Sequence, residues 1–407
     1  MILSKSPILS GQTGFNDGSH PEGSLAGRNA SMKQPGYSIE VIRGDGVFGQ
    51  SHGEWDELWE ACPEATEAQT FYFQQLYRKH VARREQLLSV TARDGAGQLA
   101  ALGVFAIRRD RQTLQLRLGF LGEHDVDYHG MLYREGLPEA VGRDMLAALI
   151  AVAGTVSAFE FLNVPEESWT RRVLQSCGEE FAGFTGPRKT KLSECYAVSL
   201  PGTMEEYWAI FGKKTRDRLK SKMRKFQRES VVEFRSITED IDLGSVLDEV
   251  EAVEWARWGG GNKFGDDASR DFLRGMITAL VRERRCRVFT LHADGQCVSY
   301  IVGFIQRGAL RIPYLAHDIS LAGNHSVGLI CNIMAIELCI GEGYHDYDLT
   351  RGSEGYKAQL GGELHYNVSD VIFRNSTCER LADFNRRFLA PILHSCFMRR
   401  LRRLVRR

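Results

Sequence analysis

Residues 287–306 read RVFTLHADGQCVSYIVGFIQ. Two apolar-rich runs flank Asp294-Gly295, a dipeptide suited to a tight turn with positive φ, so the segment predicts a β-hairpin. Residues 87–109, LLSVTARDGAGQLAALGVFAIRR, repeat that pattern around Asp94-Gly95 and Gly97. The elements after each hairpin come in one order. LQLRLGFLG (114–122) and ALRIPYLAH (309–317) read as third strands. Helical patterns come next, over 137–152 and 326–341, the first with a small-residue face at Ala147, Ala148 and Ala151. AFEFLNV (158–164) and HDYDLT (345–350) are the strands after those helices. An order-preserving repeat in a mixed α/β chain argues for two copies of one domain.

The chain has 407 residues, a length that suits two domains. Residues 1–36 are rich in Gly, Ser, Asn and Pro without hydrophobic periodicity and predict a disordered arm. The first domain is expected over 37–200 and the second over 201–380. The boundary falls near Leu200, because Thr203 followed by Glu206 forms a capping-box signature for a fresh helix. A basic helix over 213–228 then leads into the second copy. Residues 381–407 are expected to form a basic amphipathic helix.

Hydrophobic residues make up 43% of the chain and charged residues 26%, the balance of a soluble globular protein. No apolar run nears the roughly 20 residues that cross a bilayer, and the N-terminus lacks a secretory pattern, so integral membrane and ordinary exported proteins are excluded. The formal charge is zero, with 52 basic and 52 acidic residues, yet two blocks are strongly basic. Lys213–Arg228 holds nine Lys or Arg against the single acid Asp217, spread over nearly every side of the helix with Phe226 as the one aromatic. That spread disfavours nucleic acid as a partner. Arg386–Arg407 holds eight Arg and no acid. There Phe388, Leu389, Ile392, Leu393, Phe397, Leu401 and Leu404 recur at helical spacing, a pattern that fits either an anionic membrane surface or docking on the protein's own core. The nine cysteines form no CxxC pair and read as buried free thiols in a reducing cytoplasm, with no metal site. The expected location is the cytoplasm, peripheral to the inner face of the membrane if the tail binds it.

Residues 344–362, YHDYDLTRGSEGYKAQLGG, are the most informative for function. Asp346 and Asp348 alternate onto one face of a strand that a plain core would keep apolar. Arg351, Glu354, Tyr356 and Lys357 follow within a Gly-containing turn. A polar cluster of this kind at a strand end is where sites are built.

This stretch resembles the signature of the CelD-like acetyltransferases, members of the GNAT superfamily related to the FemAB peptidyltransferases. The resemblance extends to the basic helix at Lys214-Thr215-Arg216, to Asn324-His325-Ser326-Val327-Gly328 before a long helix, and to Asp127-Tyr128-His129. It implies an α/β (α+β) fold of two tandem GNAT-like domains, each a mixed, mainly antiparallel twisted sheet flanked by helices. It also implies acyl transfer by the second domain from an acyl-CoA, acetyl-CoA first among them, to an amine or hydroxyl of a small or sugar-like acceptor such as a polysaccharide or envelope precursor. On that reading Asp348 or Glu354 is the base and Tyr356 the acid. Arg351, Lys357 and His317 hold substrate. Ser326, Val327 and Gly328, at a helix N-terminus, hold the donor's phosphates. Val327 stands where the family has proline. The alternatives are a FemAB-like transferase using aminoacyl-tRNA and a non-catalytic module of a polysaccharide-synthesis complex.

Overall fold

A computed structural model describes residues 31–375, apart from 35, 111–114, 155, 179, 182, 183, 323 and 324, together with residue 377. The stretches expected as an N-terminal arm and a C-terminal helix therefore lie largely outside the described residues. The first half runs β1 (Ser31–Gln34), β2 (Tyr37–Arg43), α1 (His52–Ala61), α2 (Phe71–His80), β3 (Gln86–Asp94), β4 (Leu99–Arg109), β5 (Leu116–Phe120), β6 (Leu132–Tyr133), α3 (Glu139–Ala153), β7 (Ala158–Pro165), α4 (Trp169–Ser176) and β8 (Phe184–Ser199). The second runs α5 (Met204–Ala209), α6 (Lys213–Glu229), β9 (Val232–Ile237), α7 (Leu243–Trp258), α8 (Asp267–Arg282), β10 (Cys286–Ala293), β11 (Gln296–Gln306), β12 (Ala309–His317), α9 (Ile319–Ala322), α10 (Val327–Gly341), β13 (Asp346–Arg351), α11 (Gly355–Gln359) and β14 (Glu363–Asn375). From β2 to β8 and from β9 to β14 the elements repeat in order, as the paired hairpins predict.

Local chemistry explains the element ends. Thr203 and Glu206 form the expected capping box at α5. Asp294 and Gly295 both take positive φ, 53° and 81°, closing a two-residue loop between Ala293 and Gln296. Ser31–Gln34 was expected within the disordered arm but pairs with β2. Edge pairing uses backbone groups alone, so it leaves no hydrophobic signal to read. Cys62, Cys177, Cys195, Cys286, Cys331 and Cys339 are buried free thiols, raised above their ordinary pKa by burial.

Among the described residues the fourteen strands form one sheet, in the order β1-β2-β3-β4-β5-β7-β14-β8-β13-β12-β11-β10-β9, with β6 on β4. The halves exchange their last strands. β8 ends the first half but pairs with β13 of the second, and β14 ends the second but pairs with β7 of the first. β8 and β14 also pair with each other, joining the halves without a break.

Parallel pairing occurs once in each half, and in both it is short. β5 meets β7 only at Arg117↔Ala158 and Leu118↔Phe159. β12 meets β13 only from Ala309↔Asp346 to Arg311↔Asp348. Beyond these pairs the strands diverge.

In the first half the gap is filled. Glu123 is fully buried, and its Oε2 accepts from Phe120 N on β5 at 3.0 Å and from Leu162 N on β7 at 3.1 Å. Burial pushes its carboxyl up to about 7, against the pull of the Arg108 guanidinium it pairs with. Gly119 makes room, since a Cβ there would collide with Glu123 Oε1.

In the second half the gap stays open. Between Val302↔Tyr314 and Phe304↔Arg311, Ile312 and Pro313 together oppose Gly303, a β-bulge. Proline has no N–H for the ladder, so it suits that position. The bulge rotates β12. Leu310 and Ile312 pack with α6 and α10, whereas Tyr314 and Ala316 pack with α7 and α8 on the other face.

Candidate active site

The open gap between β12 and β13 is a cleft of about 690 Å³. Its lining comes from both faces of the sheet. His325, Ser326, Gly328 and Asn332 border it on the α10 face; Arg257, Trp258 and Lys263 do so on the α7 face. Leu349, Thr350, Arg351, Glu354, Tyr356 and Lys357 form the β13 side. A second cavity of about 470 Å³, lined by His124, Asp125, Ser269, Phe272 and Tyr314, adjoins it. The two share Asp127, Lys263, Pro313 and Arg351.

The α10 end brings backbone N–H groups and a lysine together. Ser326 precedes the helix but its side chain caps no backbone N–H. Instead, Ser326 Oγ accepts from Lys222 Nζ of α6 at 2.5 Å. Among the described residues the first N–H groups of α10 have no side-chain acceptor, and they lie beside a lysine. Val327 is fully buried and offers only its backbone. Gly328 lets the His317 ring lie against the helix, since a Cβ there would be 3.0 Å from His317 Nδ1. Burial, then the Arg257 charge, lowers the His317 pKa. Asn332 ties the first turn to β13, donating to Gly328 O at 2.7 Å and accepting from Tyr347 Oη at 2.9 Å.

At the β13 end two predicted site residues have other work. Asp348 is buried and is not among the cleft-lining residues. Its Oδ1 accepts from Tyr128 Oη at 2.9 Å and from Thr350 N at 2.8 Å, and its Oδ2 lies 3.2 Å from Arg311 Nε. Lys357 is also buried, at the cleft wall. Its Nζ donates to the carbonyls of Thr350, Arg351 and Gly352 at 2.9–3.0 Å and lies 3.1 Å from Glu354 Oε2. An ammonium has three protons, so this clamp uses all of them. The clamp holds a tight turn in which Thr350, a β-branched residue, takes φ 59°.

Tyr356, Glu354 and Arg351 do face the cleft, as do His317, Ser326 and Gly328, whereas Val327 does not. Tyr356 has no hydrogen-bond partner among the described residues, and burial, then the charges of Glu354 and Asp127, raise its phenol well above the ordinary value. Glu354 is exposed at the mouth. Arg351 reaches the first half, 3.3 Å from Asp127 Oδ1 and hydrogen-bonded to Asn163 Oδ1. Sequence reasoning overlooked Asp127 as a site residue, along with Lys222, Arg257, Trp258 and Lys263. Asp127 stands beside the Asp348 anchor Tyr128, and only the joint between halves brings it to the cleft.

Residues 213–358 match a family model described as an acetyltransferase (GNAT) domain. The solved structure of FemX is similar at 12% identity, covering 84% of this chain and 99% of that one with a TM-score of 0.55. L-PGS from Bacillus licheniformis is similar at 14% identity, 81% and 96% coverage and a TM-score of 0.51. A conserved protein of unknown function from Bacteroides thetaiotaomicron VPI-5482 gives 16%, 82%, 99% and 0.52. No protein of curated function matches the sequence.

The second half carries the match to a GNAT domain, and the first half repeats its order of elements. The family match begins at the first residue of α6 and ends inside α11, so it spans the cleft, the basic helix and the Tyr-Lys pair. Among the described residues no helix is long and apolar enough to cross a membrane.

Proposed function

We propose that the second GNAT unit transfers an acyl group from an acyl-CoA to an amine or hydroxyl. The observation that supports this most is the open β12–β13 gap, which runs from the start of α10 at Ser326 and Gly328 to Tyr356. The donor's phosphates sit at Ser326–Gly328 beside Lys222, and its thioester lies in the gap. The acceptor reaches Asp127, where the second cavity meets the cleft. The resemblance of 344–362 to CelD-like enzymes supports the same reaction and an acceptor from the cell envelope.

Asp127, shared by both cavities, takes the proton from the attacking nitrogen or oxygen as the new C–N or C–O bond forms. The C–S bond breaks, and Tyr356 gives its proton to the departing thiolate. Arg351 orients Asp127. Asp348 and Lys357 hold the β13 turn and touch neither reactant.

Calorimetric titration with acetyl-CoA and a longer acyl-CoA tests the donor. Wild-type protein is expected to bind, and Gly328→Asp, which places a carboxylate at the phosphate site, is expected to lose binding. A folded wild-type protein that binds neither would overturn the donor assignment.

One observation favours a second donor. Lys214, Arg218 and Lys222 recur at i, i+4 and i+8, so they share the side of α6 that meets Ser326. Such a row also suits the backbone of an aminoacyl-tRNA. Gel-shift titration with aminoacyl-tRNA separates the two, since binding by this row falls steeply with salt.

A further inference from the structure

The mouth of the cleft on the α7 face carries exposed large apolar side chains beside two cations. Trp258 lines the cleft and is still 55% exposed. Trp255, one turn earlier on the same side of α7, is 62% exposed. Ile319 and Leu321 on α9, which packs against α7, are 55% and 43% exposed. These outward positions are held in place. Asp318 Oδ1 accepts from Ser320 N at 2.7 Å and from Leu321 N at 3.2 Å, which fixes α9 at the end of β12. Exposed large apolar side chains gathered around a site mark a binding surface rather than ordinary surface scatter.

Two cations border this lip. The Arg257 guanidinium lies 4.8 Å from the Trp258 ring centre and has no carboxylate partner among the described residues. Lys263 Nζ lies 4.2 Å from the Tyr314 ring centre and donates to Pro313 O at 3.0 Å. Tryptophan beside an arginine without a carboxylate partner, with Lys263 behind it near Glu254, Asp127 and Asp125, is a composition that suits a lipid headgroup layer, with the rings in the acyl boundary. The chain's last segment, Arg386–Arg407, has eight Arg and a repeating apolar stripe, a second feature that suits the same layer.

We propose that this lip seats on an anionic bilayer and receives the hydrocarbon part of a lipid whose polar head is the acyl acceptor. The inference rests on the acyltransferase reading and narrows its acceptor to a membrane lipid. The head group passes Arg257 and Lys263 and reaches Asp127, where the two cavities meet. The acyl chains remain on Trp255, Trp258, Ile319 and Leu321, outside the cleft. Continuity supports this occupant over a protein partner, because Trp258 belongs both to the lip and to the cleft wall.

The test uses the full chain and vesicles of phosphatidylglycerol mixed with acyl-chain-brominated phosphatidylcholine. Bromine quenches only tryptophans that enter the acyl region. Trp255→Ser/Trp258→Ser alters exposed side chains and is expected to retain the wild-type circular dichroism. Wild-type fluorescence is expected to be quenched, and the quenching is expected to be lost in the double variant. Vesicle flotation without quenching would mean that the basic tail binds alone, and would overturn the proposal. Equal quenching in wild type and variant would do the same. So would a wild-type dimer that the variant converts to monomer, with no quenching, because the patch would then be a contact between copies. None of these readouts involves a donor, so failure here is distinct from failure of the acyl-CoA titration.

Discussion

Tyr128 in the first half donates to the Asp348 carboxylate in the second at 2.9 Å, across 220 positions of chain. Arg311 completes the joint. It lies 3.2 Å from Asp348 Oδ2 and 3.2 Å from Glu67 Oε2, with its guanidinium 5.1 Å from the Tyr128 ring centre. The residue that most resembled a catalytic base is thus part of the network that fastens one half to the other.

Removing one member of a buried charge network leaves the others uncompensated. Asp348→Ala is therefore expected to cost about 3–5 kcal/mol in urea unfolding. Tyr128→Phe should cost about 1–2 kcal/mol, and a double-mutant cycle with Asp348→Asn should show coupling. A large loss of turnover at wild-type stability would instead return Asp348 to the chemistry.

Lys357→Met leaves three carbonyls at the β13 turn without their donor. The expected cost is about 3 kcal/mol or more, given about 1–3 kcal/mol for each buried group left unsatisfied. Arginine should not rescue it, because a planar fork cannot point at three carbonyls as an ammonium does. Donor affinity measured well below the melting temperature should stay near wild type, as Lys357 has no proton left for a substrate.

Tyr356→Phe is expected to lower kcat about 10-fold or more, and Asp127→Asn about 100-fold, the usual sizes for loss of a general acid and a general base. Burial, and then the nearby carboxylates, hold the Tyr356 phenol above its ordinary value. The rate should therefore show no alkaline limb from Tyr356 below about pH 10. A phenylalanine variant with unchanged turnover would take the proton donation away from this residue.

His129 offers a prediction about stability. Its ring stacks on Phe120 with centres 4.6 Å apart, Nδ1 accepts from Gly130 N at 2.9 Å, and Nε2 lies 3.1 Å from Leu121 O. Burial pushes its pKa down to about 4. The folded value lies below the unfolded one, near 6.5, so the neutral ring's contribution is complete above that pH and is lost as pH falls toward 4. Urea midpoints should drop between pH 7 and pH 4.5, and His129→Gln should reduce that drop while lowering stability at pH 7. Equal pH dependence in both proteins would exclude His129 as its source.

The sequence by itself determined what short-range patterns can encode. Asp294-Gly295 specified a two-residue turn because its backbone demands are local. Thr203 and Glu206 specified a helix start, and the order of elements after each hairpin revealed the second copy. Tyr356, Glu354, Arg351, His317, Ser326 and Gly328 were legible as cleft residues because they lie just beyond the ends of readable elements. The tertiary structure alone decided the rest. The exchange of β8 and β14 depends on backbone pairing between segments far apart in the chain, and such pairing leaves no periodic trace. The Pro313 bulge decides which side chains of β12 face α10, and a shift of one residue reverses every face after it. Glu123 closes one gap while Asp127, four residues later, opens onto the other. Two carboxylates alike on paper differ because one meets Phe120 N, Leu162 N and Arg108 in the interior, and the other meets a cavity.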